Sequence, residues 1–169
     1  MVVEALVQQL GERGLTLAVA ESLTGGALSD ALVRVPGVSA LYRGGVTAYV
    51  PAVKASVLGV SRALLESVGT VDPQVAQQMA AGVAQLMDAS AAIGTTGVAG
   101  PGPTEGKPAG TVFISALAEE RTLTRGFRFE GSRQQVRDQT VRAALGLLSE
   151  LLAATDAGND GYGALDSLQ

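Results

Sequence analysis

Three short, largely apolar runs, Leu15–Ala20, Gly45–Tyr49 and Ala91–Thr95, are separated by stretches whose apolar residues recur at helical spacing. This alternation limits the fold more than any other feature of the chain. Short apolar runs bounded by turn formers read as buried strands. Leu28, Ala31, Leu32 and Val35 line one helical face, and Val75, Met79, Val83 and Leu86 line another. Strands that alternate with helices fold into an α/β layer architecture with a mostly parallel sheet.

Punctuation residues place the other elements. Val3, Leu6, Val7 and Leu10 predict an opening helix with Gly14 as its C-cap, and Pro36-Gly37 ends the second helix. Pro51 starts a short helix that Gly59 closes, Ser61 caps another over Arg62–Val68, and Asp72-Pro73 opens the helix of Val75. Thr111–Ala118 and Leu123–Phe129 read as a strand pair around a turn at Glu119-Glu120-Arg121, which adds an antiparallel part and makes the sheet mixed. Ser132 and Gln135 have capping-box spacing at the start of a last helix that reaches about Leu152. The chain of 169 residues shows no internal repeat and no linker. It reads as one domain over 1–155, followed by a Gly- and Asp-rich tail, 156–169, expected to be mobile.

Composition then removes whole classes of function. Cysteine and histidine are both absent. No disulfide, thiol nucleophile, Ser-His-Asp triad or His- or Cys-ligated metal is available. A hydrolase built from this chain must take its base from Lys, Glu, Asp or Tyr. Net charge is −4 and aromatics are 4% of residues, with no basic tract, so nucleic acid is not an expected partner. No apolar run is long enough to span a membrane, and the opening residues lack a signal peptide's basic region; a cytoplasmic location is the expectation.

Ligands of open α/β sheets bind beyond the carboxyl ends of the strands. Three segments occupy such positions: Glu21–Gly26, Tyr49–Lys54 and Thr95–Gly100. Ser22 stands between an apolar strand and a Gly25-Gly26 helix start, a setting that serves either a nucleophile or, with Thr24, a plain N-cap. Of twelve basic residues only Lys54 and Lys107 are lysine. Lysine, unlike arginine, can release its proton. A lysine base needs its pKa lowered from about 10.4 to about 7–8, at a cost of roughly 3–5 kcal/mol. Tyr49 could orient it; the plainer alternative is an exposed lysine beside an interface tyrosine. The loop around Thr96, Gly97 and Gly100 could cradle an anion or simply connect two strands. It is no Walker A loop, since Pro101 and Pro108 stand where Gly and Ser or Thr are required, and no Gly-x-Gly-x-x-Gly, since Glu105 breaks it. Arg133 and Arg137 lie four apart at the start of the last helix, as a phosphate clamp or as a solvated face.

Taken in order, Ala20-Glu21-Ser22-Leu23-Thr24-Gly25-Gly26, Gly45–Tyr49 with Lys54, Thr96–Pro101, Lys107–Val112 and Gly131-Ser132-Arg133 with Val136-Arg137 resemble the CinA C-terminal domain family. The resemblance runs to about residue 154, with small departures at Leu23, Ala48 and the loop Gly102–Gly106. It implies a three-layer α/β/α sandwich, commonly dimeric, without metal or organic cofactor. It implies an amidohydrolase that converts nicotinamide mononucleotide to nicotinic acid mononucleotide and ammonia, in pyridine-nucleotide salvage. Ser22, Tyr49 and Lys54 would be its catalytic residues. Thr24, Gly25, Gly26, Thr96, Gly97, Gly100, Arg133 and Arg137 are the candidate substrate-binding set. Two rivals are a non-catalytic nucleotide-sensing or dimerisation module and an amidase for a non-nucleotide amide.

Overall fold

Helix caps set the frame. The computed structural model describes residues 2–159. Its helices are α1 (Val2–Glu12), α2 (Ala27–Val33), α3 (Pro51–Leu58), α4 (Arg62–Val68), α5 (Pro73–Leu86) and α6 (Arg133–Asn159). Ser61 Oγ accepts from the Leu64 N–H and Asp72 from the Gln74 N–H, so α4 and α5 begin where their capping residues predict. Gly59 closes α3 in the left-handed conformation. Ser132 and Gln135 form the reciprocal capping box at the start of α6. That helix extends past the predicted Leu152 to Asn159; the rest of the predicted tail, 160–169, lies outside the described residues.

The strands are β1 (Leu17–Glu21), β2 (Tyr42–Thr47), β3 (Ala91–Gly97), β4 (Thr111–Ala118) and β5 (Arg121–Arg128). They form one sheet in the order β2-β1-β3-β4-β5. β1 pairs in parallel with β2 and with β3, β4 is antiparallel to β3, and β5 is antiparallel to β4. Four strands therefore point one way and β4 opposes them, a mixed sheet of mostly one direction.

Four strands differ from the sequence reading. β1 runs over Leu17–Glu21 rather than Leu15–Ala20, since its pairing with β2 and β3 begins at Leu17. β2 starts at Tyr42 and ends at Thr47, because its partner β1 recruits Gly44 and Gly45, poor strand formers on their own. Tyr49 consequently lies beyond the strand, on the way into α3. β3 continues through Gly97, held by pairing of Thr96 with Phe113 and Gly97 with Val112. β5 begins at Arg121, because Glu119 and Glu120 alone make the turn, both at positive φ.

Side-chain parity divides the core. Leu17 and Val19 of β1 and Ala91 and Ile93 of β3 pack with leucines of α1, α2 and α6. Ala18, Ala20 and Ala92 face the other way, onto Leu58 of α3 and Val75, Met79 and Val83 of α5. This gives helices on both faces of the sheet, the three-layer arrangement. The α5 side is tight: a side chain at Gly94 would meet the Ala76 carbonyl and the Ala80 nitrogen. Among the described residues, no helix is long and apolar enough to cross a membrane.

Candidate active site

Glu21 ends β1 on the face that looks toward α2. It is fully buried, and its carboxylate accepts from the N–H groups of Gly26, Leu28 and Ser29 and from the Ser29 hydroxyl. The first turn of α2 is thus capped by the protein's own carboxylate. Its main chain is equally fixed: the Ala48 N–H donates to the Glu21 carbonyl, and the Ser22 N–H to the Thr95 carbonyl. The main chain of Ser22 is held on both sides, its N–H by the Thr95 carbonyl and its carbonyl by the Gly25 N–H. Its side chain points to the layer opposite that of Glu21.

Lys54 arrives from that layer. Pro51 at the first position of α3 starts the helix one turn before it, and Lys54 and Leu58, four apart, share the buried stripe. The lysine is 1% exposed, which removes the surface-lysine reading. Its Nζ lies 2.9 Å from Ser22 Oγ and donates to the Ala48 carbonyl at 2.8 Å. Burial lowers its pKa from the ordinary 10.5 to about 8, while the Glu105 carboxylate acts in the opposite sense. With a pKa of about 8, roughly a tenth of molecules at pH 7, and half at pH 8, hold the neutral amine within hydrogen-bond distance of the serine hydroxyl.

A pocket of about 160 Å³ opens above Ser22. Tyr49, Gly97, Gly100 and Arg133 contribute to its lining, together with Thr70 and Thr104. Tyr49 is 58% exposed at the rim. Its hydroxyl oxygen accepts from Arg133 at 2.9 Å, and Arg133 also donates to the Gly100 carbonyl at 2.8 Å. The Tyr49 proton therefore remains available as a donor toward the pocket.

The other predicted binding residues do different jobs. Arg137 donates to the carbonyls of Leu23 and Thr24 and to the Gln134 side chain, so it braces the Ser22 turn rather than standing open to an anion. Thr24 and Thr96 are buried; Thr24 shares a hydrogen bond with Thr95 at 3.0 Å, and Thr96 donates to the Thr70 carbonyl. The Gly25 N–H donates to the Ser22 carbonyl and the Gly26 N–H to Glu21. In this turn the N–H groups of Leu23 and Thr24 are the ones that meet no protein acceptor among the described residues. Also among the described residues, no cluster of three His, Cys, Asp or Glu side chains is placed to hold a metal ion. Glu21 and Thr95 begin two of the segments the sequence singled out but, like Thr70 and Glu105, were not among its candidate site residues. Glu21 carried one signal, an acid at the end of an apolar strand just before a Gly-Gly helix start.

The family profile of the CinA C-terminal domain matches residues 1–152. The chain belongs to the CinA C-terminal domain family. A CinA-like protein of Frankia casuarinae is 47% identical over 144 residues, 85% of this chain and 33% of that protein. A CinA-like protein of Desulfotalea psychrophila is 42% identical over 146 residues, 86% of this chain and 35% of its own. The chain thus spans about a third of the length of the curated CinA relatives it matches. Among solved structures, a competence-damaged protein (CinA) superfamily protein of Klebsiella pneumoniae superposes with a TM-score of 0.88 at 35% identity, covering 90% of this chain and 96% of the other. The competence/damage inducible protein CihA of Agrobacterium tumefaciens gives 0.83 at 34%, covering 89% and 96%. These CinA structures share the three-layer α/β fold.

Proposed function

We propose that this CinA domain is an amidohydrolase that releases ammonia from nicotinamide mononucleotide and leaves nicotinic acid mononucleotide. The observation that supports it most is the 2.9 Å contact between Lys54 Nζ and Ser22 Oγ, with the lysine buried and its pKa lowered to about 8. In the reaction, neutral Lys54 takes the Ser22 proton as Oγ bonds to the carboxamide carbon. The Leu23 N–H, on the Ser22 turn that lines the pocket, is an uncommitted donor for the developing oxyanion. The C–N bond breaks as a proton from Lys54 or Tyr49 converts the leaving nitrogen to ammonia. Water then adds to the acyl-enzyme, gives its proton to the lysine and frees the carboxylic acid and Ser22. In this reading Arg133, at the rim, meets the nucleotide phosphate, since Arg137 is occupied by main-chain carbonyls. A homodimer belongs to the same reading, and sedimentation of the purified chain tests it.

The deciding assay is ammonia release from nicotinamide mononucleotide by wild type, Ser22→Ala and Lys54→Ala. Release by wild type and its loss by at least about a thousandfold in both variants is the expected result. No release by folded wild type that still binds the nucleotide would turn the reading toward a sensing module.

A further inference from the structure

The glycine loop between β3 and β4 does not hang free beside the pocket. Thr104 and Lys107 exchange two backbone hydrogen bonds of 2.9 Å, with Glu105 and Gly106 at positive φ between them. This turn projects the Glu105 side chain onto the segment that joins α4 to α5. There one carboxylate oxygen accepts from the Thr70 N–H at 2.8 Å and from the Val71 N–H at 3.3 Å, and the other accepts from the Thr70 hydroxyl at 2.8 Å. Burial pushes the Glu105 carboxyl up, but these bonds, with Lys107 nearby, together outweigh it and hold the carboxyl below its ordinary pKa, so the latch is made by the carboxylate. Gly69 leaves room for it: at φ +80°, a Cβ would run into the carboxylate. Thr70 is tied in turn to β3, since its carbonyl accepts from Thr96 at 2.7 Å. Thr70, Val71 and Thr104 all line the pocket above Ser22.

We infer that Glu105 is a positioning residue that latches the 98–110 loop onto the Gly69–Val71 turn, and thereby sets the shape of the pocket wall and the electrostatic surroundings of Lys54. Burial lowers the Lys54 pKa, and the Glu105 carboxylate on the latched wall opposes it by raising it. Glu21 is committed to α2, and Arg133 stands at the rim with Tyr49. The inference deepens the amidohydrolase reading and rests on it for kinetics, but two of its consequences need no substrate.

Glu105→Ala removes both latch and charge; Glu105→Gln keeps an acceptor for the Thr70 and Val71 amides and removes the charge. In Glu105→Ala those two amides should exchange with deuterium about tenfold faster or more, and KM for nicotinamide mononucleotide should rise about tenfold with kcat changed far less. In Glu105→Gln the amides stay protected, while the Lys54 Nζ titration, followed by NMR and assigned by its absence in Lys54→Met, moves to lower pH. The acidic limb of kcat/KM follows it. Unchanged exchange in the alanine variant together with an unmoved Lys54 titration in both variants would overturn the latch. Altered exchange and titration beside an inactive wild type would overturn the amidohydrolase and leave the latch standing.

Discussion

At the scale of single residues, position 54 does what none of the chain's arginines can do, because only lysine reaches a neutral form in water. The depressed pKa of about 8 sets the pH dependence. Below it Lys54 is charged and cannot take the Ser22 proton; above it the base is free. kcat/KM should therefore rise with pH and level off above about 8, and Lys54→Arg should be inactive at every pH, which a pH-rate profile of both proteins checks. The rarity of lysine drew attention to Lys54 and Lys107 alike; the sequence left Lys54 open between a base and an exposed lysine, and its burial decides against the latter. Arg137 was not readable in the same way. Its spacing from Arg133 fits an anion clamp, but its partners are main-chain carbonyls of Leu23 and Thr24, and a carbonyl leaves no mark in a sequence.

At the scale of elements, the Glu21 carboxylate and α2 act as one unit. Removing the acid leaves the buried N–H of Leu28 and the part-buried N–H of Ser29 without an acceptor in a helix of seven residues that cannot hold itself. Glu21→Ala should cost about 3 kcal/mol in urea unfolding, and Glu21→Gln less, since the amide oxygen still accepts. Asp72→Ala, which removes an exposed cap of α5, should cost only about 1 kcal/mol in the same measurement. Helix starts were legible because caps are local chemistry: Ser61, Asp72 and Ser132 each announce theirs. The ends of β2 and β3 were not, because the neighbouring strands decide them, through the pairing of Gly44 and Gly45 on one side and of Thr96 and Gly97 on the other.

At the scale of the whole molecule, function and stability are linked through the buried lysine. The unfolded chain binds a proton at Lys54 up to pH about 10.5, whereas the folded chain releases it near 8. Folding therefore carries a full penalty below pH 8, which fades as pH rises to 10.5. Relative to Lys54→Met, wild type should gain about 3 kcal/mol of stability between pH 7 and pH 10.5, measured by denaturant titration at both values. The layer architecture itself was visible in the alternation of elements, because apolar periodicity reports burial directly. The assignment of each helix to a face was not, because it depends on which side each connection crosses.

That assignment gives the end of β3 an unusual responsibility. Thr95 reaches through the sheet's one face to Thr24 in the Ser22 turn, and the next residue, Thr96, reaches through the other face to Thr70 in the pocket wall. Two successive side chains thus clamp opposite halves of the site to a single strand. A slip of β3 by one residue would exchange the faces and misdirect both threonines at once. The site is consequently its own proofreader: the nucleophile and the wall that receives its substrate come together only in the molecule whose central strand has paired in the correct register.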